Sequence, residues 1–499
     1  MIRTKIVATM GPAVASAETL LALFQAGCDV CRLNFSHGEL DQHLATLKLI
    51  RDAASKFEHP IAVLGDLCGP KIRLGKIADQ DGTGGMPIAV GDQLIIQREP
   101  ILGQAGRVST IYEHFVVDVQ VGDKVLIEDG LLKFLCVDKS PAEIKCQCLV
   151  GGVLKSAKGI NLPHTKVSIP SITEKDWQCV AWAIENDLDY LALSFVRHAE
   201  DLVTLRQHLT DHKSGINLIA KIEKAEAIRE IDAIIDASDG LMVARGDLGV
   251  EMDLAEVPIL QKDLIRRCQQ AGKPVIVATQ MLQSMIDQPS PTRAEVSDVA
   301  NAVYDGTDAV MLSGETSVGK FPVGTVHVMA HIASKTEAYI AEQPAQRESI
   351  LRLKTMQVPA AVAKGVWQIV RDLKVKLVVV WSQTGTTARI FSKYRFNVPI
   401  IALSSDPRAL RRMALHYGVV PQEMVPPDEM NALLVKVDEL ILGKGFAANG
   451  DRIVIVAGGS MGAPRTLSGI IIHTLGEEWH APANDPHGAG MRFDVGKEG

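Results

Sequence analysis

Cysteine is sparse in this chain, with 8 residues in 499, too few to staple a protein of this length with disulfides. Cys28 and Cys31 form a CxxC, but no second CxxC accompanies it and Cys28 leads straight into an apolar strand. Both read as packing residues, as do Cys146 and Cys148, two apart on one strand face. A long apolar run is also lacking: none approaches about 18 residues, and MIRTKIVATMG at the start has neither an apolar h-region nor a small-residue cleavage site. A cytoplasmic protein without membrane association is the expectation. A net positive charge is missing too. A formal net charge of -7 gives no global attraction to nucleic acid or anionic lipid, so any phosphate affinity must be local.

What is present is ordinary for a large globular protein: 47% hydrophobic and 22% charged residues. The length calls for two to four domains at roughly 100–200 residues each. Short β-branched runs at 4–9, 29–36, 61–66, 190–196, 216–223, 241–247, 274–280 and 309–314 alternate with helical patterns such as 16–26, 38–56, 174–186, 256–271 and 292–304. Eight β/α units predict a closed (β/α)₈ TIM barrel of α/β class, with function at the C-terminal ends of its strands. The barrel takes residues 1–74 and 167–345. Residues 75–166 read differently: VGDQ at 90–93 and VGDK at 121–124 each precede an apolar strand, and GTGG at 82–85 marks a turn. A small β-barrel domain inserted at the functional end, able to act as a lid, is expected there. The pattern restarts at 346–478 as a C-terminal α/β domain, with a helix near 357–372 and strands at 376–381, 399–403 and 452–457. The last stretch, 479–499, lacks periodicity and reads as a tail.

In a strand, residues two apart share a face, so Lys221 and Glu223 of IAKIE point the same way at the strand's C-terminal end. The next strand ends in ARGDLGVE, which sets Asp247 beside Glu223 around the rim. Two carboxylates suit Mg²⁺ or Mn²⁺, which completes its shell with water and substrate oxygens, while the ammonium neutralises charge on a transferring group. Gly246 lets backbone amides approach an anion. The bland alternative is an interior ion pair. In CRLNFSHG, the period-two rule places Arg32, Asn34 and Ser36 on one face, and the planar fork of Arg32 suits phosphate; a structural pair with Asp66 is its alternative. ATQM and LSGET end the last two strands with Thr279 and Ser313, followed by Glu315, although hydroxyls there also cap helices. GETSVGKF at 314–321 has P-loop spacing but Phe321 where a metal-binding hydroxyl belongs, and GGSMG at 458–462 is too short for a dinucleotide fingerprint; neither is taken as a nucleotide cradle.

Together CRLNFSHG, GDLCGPKIR, KGINLP, AKIEKAEA, MVARGDLGVE, ATQMLQSM, PTRAEVSDVANAV and DAVMLSGET resemble the pyruvate kinase family across roughly residues 1–475. The resemblance implies phosphoryl transfer from phosphoenolpyruvate to ADP, giving pyruvate and ATP. It implies that Glu223 and Asp247 bind the divalent metal and that Lys221 stabilises the transferring phosphoryl group and developing enolate. It further implies that Arg32 takes the substrate phosphate, that the Gly246–Asp247 backbone takes its carboxylate, and that Thr279 sits near the carbon that becomes a methyl. Ser313 and Glu315 help deliver the proton; Asn34, His37, Arg73 and Lys175 align with nucleotide-site residues. A homotetramer and a phosphorylated-metabolite effector on the loop Ser382, Thr384, Gly385, Thr386 and Thr387 are also implied. A metal-dependent aldolase or lyase on a similar barrel, and a non-catalytic regulatory relative, are the rival readings.

The chain departs from the family pattern at the monovalent-cation site. Common members hold K⁺ on oxygens aligned with Asn34, Ser36, Asp66 and a threonine, with a glutamate inside GPxIR. Here those last two positions are Leu67 and Lys71, and Cys68 and Leu74 replace more polar residues. The expectation is that the Lys71 ammonium substitutes for K⁺, which is then not required. A later loop, GAPRTL, also departs from the pattern and leaves the effector's identity open.

Overall fold

The computed structural model describes residues 2–57, 59–79, 82, 84–163, 165–343, 351, 356–427, 430–457 and 469–477. Eight parallel strands, β1 (Lys5–Thr9), β2 (Val30–Asn34), β3 (Ala62–Asp66), β4 (Tyr190–Leu193), β5 (Asn217–Ile222), β6 (Gly240–Ala244), β7 (Val275–Ala278) and β8 (Ala309–Leu312), close a barrel in chain order. Closure comes from β1 pairing with β8, Lys5 opposite Ala309. Period-two alternation sorts the side chains. Val7, Val30, Leu64, Tyr190, Ile219, Met242 and Ile276 fill the interior, while Ile6, Ala8, Leu33, Val63, Leu191 and Val243 face the surrounding helices. Both faces are buried, which is why these strands read as near-continuous apolar runs. The helices start where the sequence supplies caps: Thr173 with Asp176 and Thr292 with Glu295 both complete capping boxes.

The strand starts match the sequence pattern closely, but their C-terminal ends fall short of it. The run 190–196 ends at Leu193, 241–247 at Ala244, 274–280 at Ala278 and 309–314 at Leu312. Backbone geometry explains this. Phe195, Thr279 and Gln280 have φ of 53°, 71° and 53°, a left-handed conformation no strand tolerates, and residues Arg245–Glu251 form a short helix. Asp247 therefore lies in the first turn of a helix, not on β6. Ser36 likewise falls in a turn beyond β2, so the shared strand face drawn through Arg32, Asn34 and Ser36 stops at Asn34.

Between β3 and β4 the chain builds a curled six-stranded sheet around its own core, including Leu94, Ile96, Phe115, Val125 and Phe134. Gly91 and Gly122, each at positive φ, turn the chain into the strands Gln93–Gln97 and Lys124–Ile127. Cys136, Cys146 and Cys148 pack in this core, and Cys28 and Cys31 in the barrel's outer layer, as free thiols.

The C-terminal domain is a five-stranded sheet in the order Val419–Glu423, Ile400–Ser404, Leu377–Trp381, Arg452–Ala457, Gly469–Thr474, the last strand antiparallel. Sequence periodicity misses its first and last strands: Val419–Glu423 is interrupted by Pro421, and Gly469–Thr474 follows a glycine-rich stretch. GGSMG, GAPRTL and the 479–499 tail lie outside the described residues. Ala414 and Leu415 of this domain join the barrel's interior cluster and stopper its N-terminal end. Among the described residues, no helix is long and apolar enough to cross a membrane.

Candidate active site at the barrel rim

Lys221, next to last in β5, is the hub. Its ammonium lies 3.1 Å from Asp66 Oδ1, 3.0 Å from Glu223 Oε1, and donates to Ser194 Oγ at 2.6 Å. Burial would push its pKa down, but the carboxylates of Asp66 and Glu223 outweigh burial and raise it above the ordinary lysine range. Lys221 therefore carries a fixed positive charge at neutral pH rather than serving as a base. Asp66 resists its own burial because Lys221 and Arg32 hold its pKa low.

Arg32 sits on β2, with Nε donating to Asp66 Oδ2 at 2.7 Å and Nη1 to Thr9 Oγ1 at 2.9 Å. The structural pair with Asp66 is thus real. It does not exhaust the guanidinium, whose Nη2 has no protein partner among the described residues.

Glu223 follows β5 directly. Its Oε2 accepts the Phe195 amide at 2.7 Å, which requires the left-handed turn at Phe195. Burial raises the pKa of Glu223, Lys221 opposes that rise, and the neighbouring Asp247 carboxylate adds to it. Asp247 itself has no hydrogen-bond or ion-pair partner among the described residues. Two close carboxylates in mutual repulsion, one of them unpartnered, fit a hard divalent cation. Among the described residues no group of three or more His, Cys, Asp or Glu is placed to hold a metal ion by itself.

Thr279 adopts φ 71°, an outlier for a β-branched residue and a mark of a functional constraint. Its Oγ1 donates to Ala278 O at 2.6 Å and accepts the Gly246 amide at 2.7 Å, fixing the hydroxyl over the start of the Asp247 helix. Arg245 locks that helix from outside through Asp298 at 2.6 Å and Thr279 O at 2.8 Å. Glu315 is fully buried, with its two oxygens accepting the amides of Leu282 and Ser313. It braces the loops after β7 and β8, and the Ser313 side chain makes no cap bond. In GETSVGKF, Gly314–Ser317 is a helical turn and Lys320 pairs with Asp287 on the surface, with no phosphate cradle.

The nucleotide candidates divide. Lys175 lines a cleft with Phe35, Gly38 and His43, next to Asn34 and His37. Arg73 lies apart, on the inserted-domain side, its Nη1 donating to Ala157 O at 2.9 Å. Lys71 is also apart from its expected partners. It is exposed, lines the cleft between barrel and inserted domain, and its Cε packs near Gly159. The structure pairs it with none of Asn34, Ser36 and Asp66. Asp66 already has Arg32 and Lys221, and Asn34 Oδ1 accepts the Ser36 amide at 3.2 Å. Leu67, at the threonine position, is buried in the barrel's outer core. In the C-terminal loop, Ser382 Oγ accepts the Ala388 amide at 3.0 Å, the Thr384 and Thr386 hydroxyls lie 3.2 Å apart, and Gly385 takes φ 85° before Thr387 in the short helix Thr386–Ser392.

Sequence reasoning missed Ser194, which bridges Lys221 to the Leu67 carbonyl, and the Phe195 amide on Glu223. A serine closing the apolar run LALS was the available signal.

A buried ammonium between carboxylates, with an arginine and a further carboxylate beside it at the C-terminal mouth of a (β/α)₈ barrel, marks the charged rim of a barrel enzyme. The comparisons specify which. The family description "Pyruvate kinase, barrel domain" matches residues 1–326, and "Pyruvate kinase, alpha/beta domain" matches residues 360–473. Pyruvate kinase of Bacillus licheniformis is 41% identical over 484 residues, 96% of this chain and 81% of the relative. Pyruvate kinase of Geobacillus stearothermophilus is 41% identical over 482 residues, covering 95% and 81%. The crystal structure of a pyruvate kinase from Cryptosporidium parvum superposes with a TM-score of 0.86 at 34% identity, covering 95% of this chain and 96% of that one. The chain belongs to the pyruvate kinase family and is a phosphotransferase of that kind.

Proposed function

We propose that the site carries the phosphoryl group from phosphoenolpyruvate to ADP, releasing pyruvate once the enolate takes up a proton. The observation that carries this reading is the Lys221 ammonium, held charged beside Glu223 and the unpartnered Asp247. Phosphoryl transfer passes through a loose transition state that needs position and charge more than covalent chemistry. Lys221 supplies a preorganised positive charge at the phosphoryl and enolate oxygens. The free edge of Arg32 binds the substrate phosphate, and the first turn of the Asp247 helix, with Gly246, receives the substrate carboxylate. A divalent cation, Mg²⁺ or Mn²⁺, held by Glu223 and Asp247, adds Lewis-acid charge there. Thr279 orients its hydroxyl toward the carbon that becomes a methyl, and Glu315 holds the Ser313 loop against it. Lys175, Asn34, His37 and Arg73 contact the nucleotide, with residues 75–166 closing over it as a lid.

K⁺ is not required in this reading. The buried Leu67 removes an oxygen ligand, and the Asp66 carboxylate is neutralised from within the chain by Arg32 and Lys221. Lys71 adds positive charge to the same mouth from across the cleft rather than from the cation position. A lactate-dehydrogenase-coupled assay tests reaction and cation together: activity strictly dependent on ADP and divalent metal, and unchanged when K⁺ and Na⁺ give way to a quaternary ammonium, is expected. A K⁺ stimulation of tenfold, about 1.4 kcal/mol, overturns the cation reading alone.

The loop of Ser382, Thr384, Gly385, Thr386 and Thr387 is proposed to bind a phosphorylated effector, tested by thermal shift against phosphorylated metabolites with and without Thr384→Ala. Exposed apolar side chains on the helix Val257–Gln270 (Ile259) and the edge strand Gly469–Thr474 (Ile470, Ile472) support a homotetramer, read out by analytical ultracentrifugation. A cytoplasmic location completes the reading.

A further inference from the structure

Glu251 closes the short helix that carries Asp247, four residues on and therefore on the same helix face. It is a buried carboxylate, 2% exposed, and one of its oxygens, Oε1, takes two bonds. Lys224 Nζ reaches it at 2.7 Å and Asn161 Nδ2 at 3.1 Å. The two donors come from different places. Lys224 directly follows Glu223, while Asn161 belongs to the inserted domain, on a strand paired to Leu126. That strand pair leads into Glu128, Asp129 and Gly130, all at positive φ, and a Cβ placed on Gly130 would lie 3.8 Å from Val250 Cγ1. The inserted domain therefore touches the end of the Asp247 helix through Asn161 on Glu251, with Gly130 close by Val250. Lys71, Asn161, Lys224 and Asp247 line the cleft between.

We propose that Glu251 is a positioning residue: Lys224 and Asn161 grip it so that seating of the inserted domain fixes the Asp247 helix relative to Glu223. The inference rests on the reading above that Glu223 and Asp247 hold the divalent cation. When the inserted domain swings away, Asn161 leaves, Lys224 alone holds Glu251 while Arg245 and Thr279 still anchor the helix's first turn, and the spacing of the two carboxylates loosens. Such outer-shell partners commonly govern metal affinity by 10–100-fold.

The test uses the full chain with Mn²⁺ alone as probe, its affinity read by electron paramagnetic resonance without substrate, alongside hydrogen exchange over 124–131 and 245–251. Asn161→Ala is expected to weaken Mn²⁺ binding about tenfold. It should also speed exchange in both segments together, a response that a purely local packing role does not give. Lys224→Met should weaken Mn²⁺ binding comparably and Lys224→Arg should recover it. Because both donors share one oxygen, the double variant should lose less than the product of the singles. If Lys224→Met fails to fold, Asn161→Ala decides. Unchanged exchange over 245–251 in Asn161→Ala, or multiplicative losses in the double variant, overturns the coupling. Glu223→Gln binding Mn²⁺ as the parent does would instead remove the metal assignment beneath it, an outcome distinguishable because the exchange arm is read without metal.

Discussion

The two mouths of the barrel are built from the same kinds of charge and treat them oppositely. At the N-terminal mouth the groups are matched. Lys393 and Asp308, both fully buried, pair at 2.7 Å; Arg411 and Arg51 share Asp189; Lys5 pairs with Asp29, and Glu337 takes the Arg3 and Thr4 amides. His416 Nδ1 and Arg395 Nε are the exceptions here, buried without hydrogen-bond partners among the described residues. At the C-terminal mouth the groups are left in tension. Among the described residues Asp247 has no partner, Glu223 is pushed toward its neutral form, and Thr279 holds a strained backbone. One end pairs its charges across a domain contact and the other leaves a carboxylate unpaired among the described residues, a division that matches stability at one face of such barrels and loop-borne function at the other.

Breaking the matched end should cost the most stability. Lys393→Met removes the close ammonium from buried Asp308, leaving it the Val275 amide and the more distant Arg395, and is expected to lower unfolding free energy by roughly 3–5 kcal/mol, as urea titration reads it, with KM values of the remaining folded enzyme unchanged. A similar loss at the rim should appear in rate instead. Lys221→Met should reduce kcat by about 10²–10³-fold in the coupled assay while Mn²⁺ still binds, since it removes preorganised charge without removing the carboxylates. Wild-type turnover in this variant would sink the assignment.

A smaller effect has the opposite sign and sharpens the contrast. Asp247→Asn removes the repulsion on Glu223, so in metal-free buffer it should stabilise the fold by about 0.5–2 kcal/mol while abolishing metal binding. A destabilised Asp247→Asn protein would mean that the rim is matched after all. The smallest effect concerns pH. Burial brings Lys393 down to about 8, below its ordinary value, with Asp308 opposing the shift. Between about pH 8 and the ordinary lysine value of 10.5 the unfolded chain holds the extra proton, so this residue's contribution to stability rises with pH across that window. Thermal melts of the parent minus those of Lys393→Met should show a difference that grows with pH there; a flat difference rejects the shift.

Much of the site was legible in the chain. Lys221 and Glu223 were legible as neighbours from their spacing of two, and they pair at 3.0 Å although the strand ends at Ile222 and Glu223 stands just beyond it. The eight strand starts were legible because strand period is a local property. Strand ends were not, because a strand stops where the rim loops need left-handed residues, and Thr279 gives no local hint that it will adopt φ 71°. Lys71 shows the limit of reading by position: its place in GPKIR suggested the cation site, while its side chain lies by Gly159 in the interdomain cleft.

The sequence by itself determined the barrel's alternation, the helix caps and the motifs that place the chain in its family, all encoded within a few residues of one another. Only the tertiary structure decided which charges meet: Arg32 and Lys221 on one Asp66, Lys393 on an Asp308 that is 85 positions away, Asn161 and Lys224 on one Glu251 oxygen. Coulomb attraction acts through a few ångströms of low-dielectric space whatever the distance along the chain, and folding alone brings those partners within it.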